Sequence, residues 1–321
     1  MRGITIFSGS AHPQLAEEIC QQLGLPLSPV DIRRFSNDCL QVQLLASCRE
    51  ADVFFVQPIC PPVQENLMEL LQMLDAAKGS AAARLTAVIP HYAYARSDKK
   101  DAPRISIAGR LVADLLKTAG ADRVITMTLH SPQVHGFFSV PVDHLNALIT
   151  LARYYRERGE LDNTVVVSPD LGNAKSAARF ARMLRLPVAA GSKQRMSDDK
   201  VVIEEIVGDV DGKNAIVLDD EIANAGTIVE TLHCLRKHNV ERMSVACTHG
   251  LFTGKAIERL RAQTDVHEIV VTNTVPIPPE KRLPNMRVIS IAPLLAEAIR
   301  RTHNGESISS MFEEEIWQPT A

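Results

Sequence analysis

An α/β fold with mostly parallel sheets, duplicated within the chain, is what this sequence predicts. Three observations carry the prediction. Short apolar runs suited to buried strands alternate with amphipathic helical stretches along most of the length. Two pairs of segments echo one another, in the same order, across the halves. One stretch, residues 214–230 (NAIVLDDEIANAGTIVE), reads as strand, loop and helix, with the loop at the carboxyl end of a parallel sheet.

Taken in order, residues 4–7 form a first apolar strand, followed by a helical pattern over 13–23. Residues 30–35 lead into the polar turn Ser36-Asn37-Asp38-Cys39, and 40–44 return as the second arm of a hairpin. Residues 52–57 are a buried strand, and beyond the prolines of 58–62 a long amphipathic helix covers 64–78. A strand over 85–90 precedes the basic run HYAYARSDKKDAPRIS (91–106); a helix covers 107–119 and a strand 123–129 ends at His130. In the second half, 164–167 is a strand ending in Ser168-Pro169-Asp170. Residues 215–218 are a buried strand ending at the acid pair Asp219-Asp220, with Ile228, Leu232 and Leu235 at helical spacing beyond.

The echoes pair GADRVITMTLHS with NVERMSVACTHG, and SGSAHPQLAEEICQQLGLP with SPDLGNAKSAARFARMLRLP. Together they predict two domains of one fold, residues 1–145 and 146–321, joined near 142–151. A chain of 321 residues is long enough for two cores. With 45% hydrophobic and 23% charged residues and a net charge of −3, it reads as a soluble globular protein without the basic stripe that nucleic acid demands. Neither a bilayer-length apolar run nor a secretory leader is evident, and the six cysteines form no C-x-x-C pair. The expectation is a cytoplasmic chain with reduced thiols and no nucleic-acid or membrane partner.

Each part of the 219–227 loop has a chemical use. Backbone N–H groups at a helix start, with Gly226 allowing close approach, favour a phosphate, and the Asn224 and Thr227 side chains can add hydrogen bonds. Adjacent carboxylates suit vicinal sugar hydroxyls or a divalent cation. The site is thus either a sugar-phosphate cradle or an acidic pair on an ordinary βα turn. Arg96, Lys99, Lys100 and Arg104 follow a strand directly, where cations suit a polyphosphate; otherwise they are a solvated face. His130 and Asp170 stand at strand ends as candidate metal ligands. Lys193 and Arg195 lie in the polar stretch GSKQRMSDDK, read as a loop whose two cations can close over developing phosphoryl charge. No G-x-x-x-x-G-K-[ST] and no protein-kinase motif occurs.

These segments, together with QPICPPVQENLMELLQMLDAAK, AGADRVITMTLHSPQVHGFF, VVSPDLGNAKSAARFA and CTHGLFTGKAIERL, resemble the ribose-phosphate diphosphokinases over nearly the whole chain. The resemblance implies two tandem type I phosphoribosyltransferase-like domains and a homo-oligomer, a hexamer built from dimers. It implies transfer of the β,γ-diphosphoryl group of Mg-ATP to the 1-hydroxyl of ribose 5-phosphate, with AMP leaving. Asp219 and Asp220 would hold the ribose hydroxyls, and Ala223, Asn224, Ala225, Gly226 and Thr227 the 5-phosphate. Phe35, Asn37, Asp38 and Cys39 would meet the adenine, and Arg96, Ser97, Lys99, Asp101 and Arg104 would line the ATP side. His130 and Asp170 match Mg²⁺-binding positions, and Lys193 and Arg195 the catalytic cations. Ser47, Arg49, Ser80 and residues 307–312 resemble parts of a regulatory phosphate or ADP site.

The chain departs from the family pattern around both substrates. Ala223-Asn224 stands for Asp-Thr, Asp38-Cys39 for Gly-Glu, Ser97 for glutamine and Thr128 for aspartate. A thiol cannot accept from the exocyclic amine of adenine as a carboxylate does. The departures keep open an altered nucleotide donor, or a weak or inactive regulatory paralogue. A phosphoribosyltransferase that consumes the sugar diphosphate is disfavoured by the long first domain and its basic segment.

Overall fold

The computed structural model describes residues 3–195 and 201–311. By contacts the described residues divide into two compact units: 3–146 with 274–276 and 290–311, and 147–273 with 277–289. Residues 290–311 group with the first unit although they follow the second in sequence.

In the first unit β1 (Ile4–Ser8) leads to α1 (Pro13–Leu23), then β2 (Val30–Arg34), β3 (Leu40–Leu44), β4 (Asp52–Val56), α2 (Val63–Gly79), β5 (Arg84–Ile89), α3 (Ala108–Ala119), β6 (Arg123–Met127) and β7 (Val142–Leu145). β1, β4, β5, β6 and β7 form one sheet in that spatial order, and every neighbouring pair is parallel. β2 and β3 stand apart as an antiparallel hairpin. Asp52 through Val56 are buried throughout, as a strand covered on both faces must be. Phe7 and Phe55 stack with ring centroids 5.6 Å apart in a core that includes Leu70, Met73 and Leu74 of α2.

The second unit runs α4 (Leu148–Arg158), β8 (Thr164–Ser168), α5 (Ala174–Leu184), β9 (Val188–Arg195), β10 (Val201–Val207), β11 (Asn214–Ile222), α6 (Gly226–Lys237), β12 (Arg242–Gly250), α7 (Ala256–Arg261), β13 (Val266–Thr272) and β14 (Met286–Ile289). Its sheet order is β10-β9-β8-β11-β12-β13-β14, parallel except for β9 with β10. The run β8-β11-β12-β13-β14 thus repeats β1-β4-β5-β6-β7. On this frame the echo of residues 8–26 in 168–187 holds, since β1–α1 and β8–α5 both open their runs. The echo of β6 in β12 does not align, because β6 is fourth in its run and β12 third. Both strands are buried and follow a helix, which is reason enough for similar residues.

The last helix, α8 (Ala292–Asn304), explains the grouping of the C-terminal stretch. It packs on α1, burying Leu295, Ala296 and Ile299. At its far end His303 Nδ1 lies 2.8 Å from the buried Asp52 carboxylate, and Arg84 bonds both Asp52 (Nε, 2.8 Å) and the Thr302 carbonyl (2.9 Å). Among the described residues, no helix is long and apolar enough to cross a membrane. All six thiols are free; Cys39 is exposed and the other five are buried.

Candidate active site

In the second unit β11 is longer than the sequence predicts. It continues through Asp219 and Asp220 to Ile222, because Asp219, Glu221 and Ile222 pair with Cys247, His249 and Gly250 of β12. The acids therefore project from ordered strand, and the loop shrinks to residues 223–225. Ala225 takes φ 63°, the left-handed conformation that turns the chain into α6. Asn224 Oδ1 accepts the Gly226 N–H at 2.9 Å, which leaves the Asn224 amide NH₂ as the end that can donate outward. One helix-start N–H expected for a phosphate is thus used within the loop. The amide and hydroxyl of Thr227 remain on that first turn.

Residues 251–259, quoted in a motif but given no role by the sequence reading, brace this loop. Phe252 and Thr253 donate backbone N–H bonds to the carbonyls of Ile222 (3.0 Å) and Ala223 (2.8 Å), and Arg259 Nη1 to that of Asn224 (2.9 Å).

The Asp219 carboxyl is pushed well above the usual carboxylate range, first by burial, then by Asp220, with Asp170 adding to it. Opposite it in β12, the buried Cys247 thiol is pushed up by its own burial and then by Asp219, Asp220 and Glu221. Asp170 sits in the β8–α5 loop, where its Oδ1 accepts the Asn173 N–H at 3.1 Å, and Asn173 Nδ2 donates to the Leu218 carbonyl at 2.9 Å. The structure thereby brings Asp170, Asp219 and Asp220 into one electrostatic neighbourhood. Crowded all-oxygen donors fit a hard cation such as Mg²⁺. Among the described residues no three metal-ligating side chains converge as a ready cage, so a cation held here keeps water or substrate oxygens, as Mg²⁺ commonly does.

The backbone at Lys193 and Arg195 is strand, not loop. They lie at the end of β9, opposite Ile203 and Arg195's partner Val201 in β10. The β-branched run VVIEEIV supplies that antiparallel partner, a run the charged flanks obscure. Their side chains lie outside the described residues, as do residues 196–200 and Phe312.

In the first unit the hairpin tip is built as the sequence predicts. Phe35 donates to the Cys39 carbonyl (2.9 Å), Asp38 to that of Phe35 (2.9 Å), and Cys39 N–H to Asn37 Oδ1 (3.2 Å). Phe35 is 51% exposed, an aromatic face open to a flat ligand. The Asp38 carboxylate, however, is paired with Arg34, which also grips Glu65 of α2.

Ser97, a candidate ATP contact, is tied into the fold. Its hydroxyl accepts the Ala108 N–H (2.9 Å) at the start of α3 and donates to the Ser106 carbonyl (3.2 Å). Arg96, Lys99, Asp101 and Arg104 are exposed around it. His130 is exposed just beyond β6. Thr128, two residues before it, has φ 42°, a strained conformation for a β-branched residue. The neighbouring Leu129 N–H donates to His144 Nε2 at 2.9 Å. Burial, helped by His135, pushes the His144 imidazole down to about 4, so it stays a neutral acceptor. His144 has no motif around it and was not legible as a support.

A parallel α/β chain with paired carboxylates at a strand end, and a tight βα loop beside them, belongs among the enzymes that handle phosphorylated sugars and nucleotides. Residues 4–120 match the model for the N-terminal domain of ribose phosphate pyrophosphokinase, and 193–313 that for the phosphoribosyl synthetase-associated domain. The chain is 63% identical over 313 residues to a Streptomyces coelicolor protein assigned as a ribose-phosphate pyrophosphokinase, covering 98% of each. It is 49% identical to the ribose-phosphate pyrophosphokinase of Deinococcus radiodurans, covering 96% of this chain and 98% of that one. The crystal structure of phosphoribosylpyrophosphate synthetase from Mycobacterium smegmatis superimposes with a TM-score of 0.89 at 41% identity, covering 95% of this chain and all of that one. The chain belongs to the ribose-phosphate pyrophosphokinase family.

Proposed function

We propose that the chain transfers the β,γ-diphosphoryl group of ATP to the 1-hydroxyl of ribose 5-phosphate, giving 5-phosphoribosyl 1-diphosphate and AMP. The observation that carries this reading is the Asp219–Asp220 pair near the end of β11, followed directly by the 223–225 loop and the first turn of α6. The pair accepts hydrogen bonds from the 2- and 3-hydroxyls, and these fix the ring. Asn224 Nδ2 and the amide and hydroxyl of Thr227 hold the 5-phosphate, helped by the positive end of the α6 dipole.

The 1-hydroxyl oxygen forms a bond to the β-phosphorus and gives up its proton to solvent water. The bond from that phosphorus to the bridging oxygen breaks, and the oxygen departs with AMP. Lys193 and Arg195 answer the negative charge that builds on the transferring group. Arg96, Lys99 and Arg104 hold the polyphosphate; Phe35 and Asn37 take the base. Asp170 and His130 are the candidate Mg²⁺ ligands, and the cation would neutralise phosphate charge when bound.

A second reading, an altered nucleotide donor, is favoured by one observation. At the hairpin tip the Asp38 carboxylate is engaged by Arg34 and position 39 is a thiol, so the tip offers adenine no free carboxylate. The self-association implied by the family, a hexamer built from dimers, is part of the proposal and is tested by sedimentation velocity. The activity itself is tested by incubating the chain with Mg²⁺, ATP and ribose 5-phosphate. AMP released only when the sugar is present supports it; no turnover with any nucleoside triphosphate, despite ligand binding, points instead to a non-catalytic paralogue.

A further inference from the structure

The orientation of its peptide planes decides whether the 223–225 loop can take an anion. In a trans peptide the carbonyl and the following N–H point in opposite directions. A loop that turns its carbonyl oxygens toward a phosphate repels it, and one that turns them away presents N–H groups instead.

Here three successive carbonyls are turned away and tied down. Those of Ile222 and Ala223 accept the N–H groups of Phe252 (3.0 Å) and Thr253 (2.8 Å), and that of Asn224 accepts Arg259 Nη1 (2.9 Å). The N–H groups of Ala223, Asn224 and Ala225 therefore face the opposite side, and among the described residues none of the three has an acceptor. Both sides of this clamp hold a strained backbone. Ala225 takes φ 63° and Phe252 φ 46°, the left-handed region that a bulky residue enters only when its surroundings dictate it. Phe252 is 2% exposed, and its ring lies so close to Gly250 that a Cβ there would come within 2.6 Å.

Phe252 and Thr253 act through their backbone; Arg259 is the one member of the clamp that acts through its side chain. It stands on α7, which is seated by the buried Ala256 and Leu260. Among the described residues it has no carboxylate partner. Its Nη1 lies 3.7 Å from the place a Gly226 Cβ would take, beside the positive end of α6. A cation there opposes the helix dipole in the empty chain, and a phosphate in the loop reverses that sign.

We infer that Arg259 is a positioning residue for the sugar phosphate. By holding the Asn224 carbonyl it keeps the Ala225 N–H turned toward the open side of the loop. The inference rests on reading residues 223–227 as the 5-phosphate loop. Loss of Arg259 loosens ribose 5-phosphate and leaves ATP and the transfer step alone, a split that a residue merely supporting the fold does not give.

The test is steady-state kinetics of Arg259→Met, which keeps the stem and removes the donors, and of Arg259→Lys, which keeps one cationic donor. Arg259 is half-exposed, so both variants should fold. In Arg259→Met the KM for ribose 5-phosphate should rise about tenfold, with kcat and the KM for ATP within about twofold of wild type. Arg259→Lys should recover at least half of that loss. An unmoved sugar KM, a fall in kcat alone, equal losses for both substrates, or a lysine variant as impaired as the methionine one overturns the inference. Amide exchange without ligands judges the clamp separately: the Gly226 and Thr253 N–H groups, bonded within it, should exchange faster in Arg259→Met. Equal exchange overturns the clamp. If wild type neither binds nor turns over ribose 5-phosphate, the parent reading fails, and the exchange comparison alone decides the role of Arg259.

Discussion

The backbone N–H of Asp220 donates to Oδ1 of Asp219 at 2.9 Å, yet the Asp219 carboxyl is still held well above its ordinary range. Burial and the neighbouring acids outweigh that one favourable bond. The sign for stability follows. Between the unfolded pKa, about 4, and the raised folded value, the folded chain binds more protons than the unfolded chain. This contribution therefore stabilises fully at acid pH and is lost as pH rises through the window. Asp219→Asn should flatten the fall in unfolding free energy between pH 5 and pH 7, read by urea titration. Wild type and variant falling in parallel would show that Asp219 is not strained.

Asn224→Ala removes the side chain that accepts the Gly226 N–H at the start of α6. Loss of a turn hydrogen bond of this kind costs about 1 kcal/mol of stability. In the proposed site it also removes an outward donor. The expected result is a KM for ribose 5-phosphate raised about tenfold with kcat little changed. An unchanged KM would take Asn224 out of the phosphate cradle.

Lys193→Ala should lower kcat by about 100-fold or more with ribose 5-phosphate binding retained, since the cation acts on charge that develops during transfer. Steady-state kinetics with a separate binding titration check this. Unchanged turnover would remove the residue from the chemistry.

At the hairpin tip, Cys39→Glu should restore an acceptor for the adenine amine and sharpen the preference for ATP over GTP, measured as a ratio of kcat/KM. A ratio that does not move would mean that the tip does not read the base.

Asp52 anchors α8 through Arg84 and His303. Asp52→Ala leaves a half-buried guanidinium without its partner, at a cost of roughly 3 kcal/mol. Amide exchange in residues 292–304 should quicken relative to the rest of the first unit. Equal protection of α8 in variant and wild type would show that the helix is held by its apolar face alone.

Much of this architecture was legible in the residues. Residues 4–7, 52–57 and 164–167 are apolar runs with no competing reading, and all are strands. The βα loop at 223–225 was marked by its small residues. What could not be read depends on partners distant in sequence. Asp219 and Asp220 look like loop residues until β12 supplies Cys247, and α8 looks like part of the second half until α1 and Asp52 claim it. Arg34 likewise gave no sign that it would occupy Asp38.

The central claim is that a diphosphoryl group, rather than a single phosphoryl group, moves to the anomeric oxygen. ³¹P NMR of the chain with Mg²⁺, ATP and ribose 5-phosphate tests it most directly. The account predicts AMP and a diphosphate on C1 of the sugar in equal amounts. ADP with a sugar monophosphate at C1, or no sugar-dependent loss of ATP, would contradict it.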